Sequence, residues 1–205
     1  MARQGEFVIR PARAADAGVL AVIAKEAVHA GRLGAFGLGF NRLLIRSFIL
    51  SSYGLCVVAE RDGAIFGYGA GVTDTVAFHR DFVKRWGIRA AVLIAPHLFN
   101  PKNLHTLIQA YRYLPAAPPD DPNAELLAMN VTGAARRSGV ATKIFFTLMD
   151  TYRRLGIQSV KLGHIPVTLT SAVAFWESLG TRFVRTEELY KGGLVNVYVY
   201  DIPPD

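Results

Sequence analysis

Six residues from Arg136 to Ala141, Arg-Arg-Ser-Gly-Val-Ala, have the types and spacing to hold an anion. They follow a run that reads as a buried strand, Leu126 to Val131, and a turn-rich Thr132-Gly133-Ala134-Ala135. They lead into an amphipathic pattern from Thr142 to Leu155, so the order is strand, glycine-bearing loop, helix. The first turn of a helix leaves its N–H groups without internal partners, and the helix dipole makes that end partly positive. Phosphate or pyrophosphate is the natural ligand of such an end. Gly139 keeps no side chain between a ligand and the backbone, Ala141 is nearly as small, and Arg136 and Arg137 add charge. A plain strand-to-helix connection with two solvated arginines fits the same residues.

Arg136-x-x-Gly139-x-Ala141 resembles the pyrophosphate signature of the GNAT superfamily of acyl-CoA-dependent N-acyltransferases. The likeness extends through a strand at Ser159 to His164 and a helix ending Phe175-Trp176-Glu177-Ser178-Leu179-Gly180, and more weakly over Glu6 to Thr73. It implies an α+β GNAT fold: a central mixed, mostly antiparallel twisted sheet flanked by helices. It implies acetyl-CoA as the acyl donor and a small-molecule amine, an amino sugar or amino acid derivative, as the acceptor. Met129, Asn130 and Val131 would pair with the pantetheine amides, and Arg136, Arg137, Ser138, Gly139, Val140, Ala141 and Thr142 would hold the pyrophosphate. The N–H of Val131 or Asn130 would face the developing oxyanion.

Acyl transfer to an amine also needs a base, and the departing thiolate needs a proton. Glu125 matches the position of the glutamate base in histone-acetylating members; a solvated strand-end glutamate is the alternative. The family's acid is often a Tyr where this chain has Trp176, and an indole cannot supply a proton at neutral pH. His164 is the substitute, with Tyr190 as a second candidate. The replaced Tyr leaves a non-catalytic acyl-CoA-binding domain as the competing class.

The elements that must position these residues are legible in outline. Phe7 to Arg10 reads as a strand ended by Pro11, and Asp16 or its predecessors can cap a helix carrying Val19, Leu20, Ile23 and Val28. Glycines 31, 34, 37 and 39 loosen the chain before a helix from Asn41 to Leu50. Leu55 to Glu60 and Ala64 to Val72 form a hairpin about Asp62-Gly63. Gly156 ends the helix after the loop, and Thr168, Thr170 or Ser171 can cap the next. Two final strands, Arg182 to Leu189 and Leu194 to Tyr200, close the domain.

One domain over 1–205 is expected, with a helical insertion at about 74–122 between strands 3 and 4. Phe78, Phe82 and Trp86 recur every four residues in it, and Leu104, Leu107, Ile108 and Tyr111 suggest a further helix before the Pro115 to Pro122 linker. Its aromatic and basic residues suit a lid over the acceptor, a homodimer contact or a peripheral contact with anionic membrane, which would place the acceptor on lipid. With 51% hydrophobic and 19% charged residues the chain is not disordered, and a net charge of +7 favours anionic partners. Basic residues do not form a stripe interleaved with aromatics, so no nucleic acid is expected. The single Cys56 and the scattered histidines suggest neither a disulfide framework nor a metal site. MARQGEFVIR carries no apolar signal core, so the expected location is cytoplasmic.

Overall fold

The computed structural model describes residues 6–27, 36–99, 120–190 and 193–204. Among these residues seven strands form one sheet: β1 (Val8–Pro11), β2 (Gly54–Arg61), β3 (Ala64–Val72), β4 (Glu125–Val131), β5 (Ser159–Pro166), β6 (Arg182–Tyr190) and β7 (Gly193–Asp201). Their order is β1-β2-β3-β4-β5-β7-β6, and only β4 and β5 run parallel. Among the described residues five α-helices flank it: α1 (Ala17–Ala27), α2 (Gly37–Leu50), α3 (Thr75–Ile94), α4 (Val140–Arg154) and α5 (Thr170–Ser178). This is the mixed, mostly antiparallel α+β architecture expected.

Two apolar layers sandwich the sheet. On one face α4 presents Val140, Ile144, Phe145, Leu148 and Tyr152 to Val57, Leu126, Val160 and Leu162. On the other, Leu20 and Ile23 of α1, Ile45 and Phe48 of α2 and Phe78 of α3 meet Val58, Tyr68 and Val72. Each large side chain fully buried this way contributes about 1.5–3 kcal/mol. α4 lies very close to β3 because Gly69 offers no Cβ; one there would sit 2.6 Å from Leu148 Cδ1 and 2.7 Å from Ile144 Cγ2.

Boundaries differ from expectation where tertiary packing outweighs local signals. α2 begins at Gly37, four residues before Asn41, because Phe36 and Phe40 pack with Leu43, Ala90 and Ile94. Glycines 31 and 34 and Val28 lie outside the described residues. Before α1 a single 3-10 turn, Ala14–Asp16, is closed by the Arg13 N–H donating to Asp16 Oδ2 at 2.7 Å. The α5 N-cap is Leu169, with no side-chain cap; Thr168, Thr170 and Ser171 do not cap it.

The insertion opens with α3, capped by Asp74, whose Oδ1 accepts from the Ala77 N–H at 2.8 Å. The four-residue line runs Phe78, Phe82, Trp86, Ala90 and Ile94, and it packs on α2 and on α3's own continuation. Ile88, Val92 and Phe99 face outward, beside Lys84 and Arg89. Arg85 is paired with Asp81 at 2.6 Å. The expected second helix and the Pro115 to Pro122 linker fall on residues 100–119, outside the described set, as far as Pro119.

Candidate active site: a splayed strand pair and an open helix end

β4 and β5 pair over only two positions, Glu125 with Lys161 and Leu126 with Leu162. Beyond them the strands diverge. On its other side β4 stays paired with β3 as far as Val131, through a register shift that leaves Leu127 without a counterpart. That bulge resets the alternation of faces. Leu126 packs with α4, Ala128 with the α1 and α2 layer, and Met129 with α4 again.

The bulge also decides which main-chain groups border the opening. The Thr132 N–H donates to Phe66 O at 2.8 Å, toward β3. Strand alternation turns the N–H of Asn130 toward β3 as well, and those of Met129 and Val131 toward the splay. The Asn130 side chain is occupied too: its Nδ2 donates to the Tyr68 hydroxyl at 3.0 Å. A cavity of about 250 Å³ fills the splay, lined by Glu125 to Met129, Leu162 and Trp176. Trp176 is held edge-on by Phe145 and Phe175, at centroid distances of 5.8 and 5.2 Å.

Glu125 is not a solvated strand-end residue. It is 1% exposed, at the closed end of the splay. Its Oε2 lies 3.3 Å from Lys161 Nζ and 3.4 Å from Thr75 Oγ1, at the start of α3. Its carbonyl oxygen accepts from the Tyr152 hydroxyl at 3.0 Å. Burial raises the pKa of this carboxyl above the usual glutamate range, against the opposing pull of the Lys161 ammonium.

Lys161 is buried as deeply. Its Nζ also lies 3.6 Å from Asp121 Oδ2, and Arg185 grips Asp121 with two bonds of 2.7 and 2.8 Å. Arg185 holds Asp121 below the usual carboxylate range, and Arg185 bonds Glu187 at 2.7 Å in turn. Lys161, Asp121, Arg185 and Tyr152 are not marked as site residues by their sequence neighbours. The nearest thing to a signal is Lys161 itself, a lysine between Val160 and Leu162 in an otherwise apolar strand.

The second half of the site is the loop before α4. Arg137 and Gly139 both take left-handed backbone, with φ of 61° and 77°. Residues alternating into this region turn successive N–H groups inward as an anion-binding nest. Gly139 is the N-cap of α4 and no side chain caps the helix. A Cβ at Gly139 would meet nothing within 4 Å, so the space above the helix end is open. Arg136, Arg137 and Ser138 are exposed beside it, and the Ser138 hydroxyl donates to Ala135 O at 2.7 Å. Val140 is buried in the α4 core, so it and the half-buried Ala141 and Thr142 can offer only main-chain N–H groups to a phosphate. An opening between two strands on one side of the turn after β4, and an uncapped helix on the other, suit the two ends of an acyl-CoA.

His164 lies in β5, near a register shift against β7; its side chain, like that of Tyr190, lies outside the described residues. Cys56 is a buried strand thiol, its pKa pushed up to about 12 by burial. Among the described residues no helix is long and apolar enough to cross a membrane.

Splayed parallel strands, a bulged β4 and an uncapped helix after Arg-x-x-Gly-x-Ala define an acyl-CoA-dependent transferase class. The sequence profile of the Acetyltransferase (GNAT) family matches residues 33–181, and the chain belongs to that family. Solved structures agree in fold. The ribosomal-protein-S18-alanine N-acetyltransferase of Escherichia coli is 13% identical, with a TM-score of 0.61 over 98% of this chain and 96% of that one. A GCN5-related N-acetyltransferase from Kribbella flavida is 19% identical, with a TM-score of 0.61 over 95% and 97%. The Salmonella typhimurium protein yncA, solved with its cofactor acetyl-CoA, is 13% identical, with a TM-score of 0.57 over 98% and 96%. No curated relative matches the chain.

Proposed function

We propose that the chain transfers an acetyl group from acetyl-CoA to the primary amine of a small-molecule acceptor, an amino sugar or amino acid derivative, by direct attack within a ternary complex. The observation that carries this reading is Glu125: a residue with a buried carboxyl group that borders the same cavity as Met129 and Trp176. Acetyl-CoA supplies the thioester carbonyl. The main-chain N–H groups from Arg136 to Thr142 hold its pyrophosphate, with the Arg136 and Arg137 side chains adding charge. Met129 and Val131 offer N–H groups toward the splay, one to the pantetheine and one to the carbonyl oxygen as it gains charge.

An ammonium acceptor must lose a proton before it attacks. Glu125 takes it, directly or through one water, and its raised pKa brings its basicity closer to that of the amine. The thiolate then needs a proton. Trp176 cannot give one, and His164, on the strand forming the other wall of the splay, is the proposed donor.

An acceptor panel with acetyl-CoA, read by thiol release, tests the reading. Turnover with one amine class and intersecting initial-velocity lines are expected, because both substrates must be bound together. Failure of every amine while CoA still binds would favour the acyl-CoA-binding alternative, which the indole at position 176 supports. The exposed Ile88, Val92 and Phe99 beside Lys84 and Arg89 support presenting a membrane-associated amine in the same panel.

A further inference from the structure

The ion chain behind Glu125 is longer than holding one carboxylate requires. It runs Glu125, Lys161, Asp121, Arg185 and Glu187, and crosses from β4 through β5 to β6. Lys161 and Asp121 side chains are 3% and 6% exposed. Taking such charges out of water is costly, and an apolar pair of similar size is often as stable or more so. The buried lysine is therefore poorly explained by stability alone.

We propose that Lys161 is a positioning residue for the transfer: its ammonium, seated between Glu125 and Asp121, holds the Glu125 carboxylate ionised at the closed end of the splay. The inference rests on Glu125 as the base. Desolvation by itself favours the protonated carboxyl at this site, and a protonated carboxyl takes no proton from an amine. A cation at 3.3 Å opposes that while leaving the site dry. Arg185 fixes Asp121 with two bonds, so Asp121 cannot swing away and Lys161 stays between two carboxylates. The parallel pairing of Glu125 with Lys161 places the two side chains on the same face, opposite Leu126 and Leu162. The groups that face Glu125 are Lys161 from β5, Asp121 from the segment before β4, the Thr75 hydroxyl from α3, and the Tyr152 hydroxyl of α4 at its main chain.

The sign of the effect follows. Without the ammonium the Glu125 pKa rises further, so the acidic limb of kcat/KM must move to higher pH. An opposite charge this close is worth about 1–3 pH units. Above that limb the rate should return toward the wild-type value, which a purely structural lesion would not allow.

The test compares wild type, Lys161→Met, Lys161→Arg and Glu125→Gln, using acetyl-CoA and the acceptor that the panel identifies. Acetyl-CoA affinity is measured in parallel. Lys161→Met is expected to shift the acidic limb upward by about 1–3 pH units, with unchanged acetyl-CoA affinity, and Lys161→Arg to restore it in part. Should Lys161→Met not fold, Lys161→Arg still tests the idea through the limb position, which the longer and more diffuse guanidinium must displace. A slow Glu125→Gln with an unmoved limb in the Lys161 variants overturns the role of Lys161 and leaves the base in place. A Glu125→Gln enzyme at wild-type rate overturns both.

Discussion

The Tyr152 hydroxyl on α4 donates a 3.0 Å hydrogen bond to the main-chain oxygen of Glu125, and lies 3.3 Å from Val72 O on β3. One buried phenol thus ties the helix that starts at the proposed anion site to the strand that carries the proposed base. The contact exists only because position 71 is glycine: a Cβ there would sit 2.1 Å from the phenol oxygen and 2.8 Å from Glu125 O.

Tyr152→Phe leaves the Glu125 carbonyl oxygen without that donor, and should cost about 1–3 kcal/mol in denaturant unfolding with an unchanged m-value. Gly71→Ala should cost more, because its methyl group collides with the phenol and with main chain. A Gly71→Ala protein as stable as wild type would mean that the β3–β4 contact is looser than described.

Glu125→Gln should lower turnover roughly 10²–10⁴-fold, the range for losing a general base. Acetyl-CoA affinity should hold, and the deficit should shrink at high pH as the free amine deprotonates unaided. A deficit independent of pH would make Glu125 a structural residue.

Asp121 carries the opposite sign in stability. Its folded pKa is depressed, chiefly by Arg185, so its stabilising contribution is present above the ordinary aspartate pKa and is lost as pH falls through the depressed value. Asp121→Asn should therefore destabilise by about 1.5–3 kcal/mol at neutral pH. The difference from wild type should vanish in acid. Glu125 runs the other way: its raised pKa means stability falls as pH climbs from the ordinary glutamate range through the raised one.

Trp176→Phe should leave kcat within the same order of magnitude, since the indole N–H is no acid at neutral pH. His164→Gln should lower it roughly 10²–10⁴-fold if the imidazole protonates the thiolate. The reverse pattern would place the essential contact on the indole.

How much of this was readable in the residues depends on how local each cause is. The loop from Arg136 to Ala141 was, because a left-handed glycine before an amphipathic run is a short-range signal. The hairpin at Asp62-Gly63 and the stop at Gly156 were, for the same reason. The start of α2 was not, since Phe36 and Phe40 are buried by residues of α3 about fifty positions away. The environment of Glu125 was not either. A glutamate at a strand end looks solvated until Lys161 arrives beside it with Asp121 behind, and that approach depends on a two-residue parallel pairing. The bulge at Leu127 leaves no compositional trace, yet it separates Met129 and Val131 from Asn130 as donors to the splay.

Calorimetric titration of acetyl-CoA into Gly139→Asp is the sharpest check on the proposal that acetyl-CoA lies along this splay with its pyrophosphate on the α4 end. Position 139 has free space and a left-handed φ that aspartate tolerates better than most residues, so the variant should fold. Its carboxylate would stand where the phosphates belong. Measurable binding to the wild-type protein and none to a folded Gly139→Asp are expected. Equal affinity in the two folded proteins would contradict the proposal.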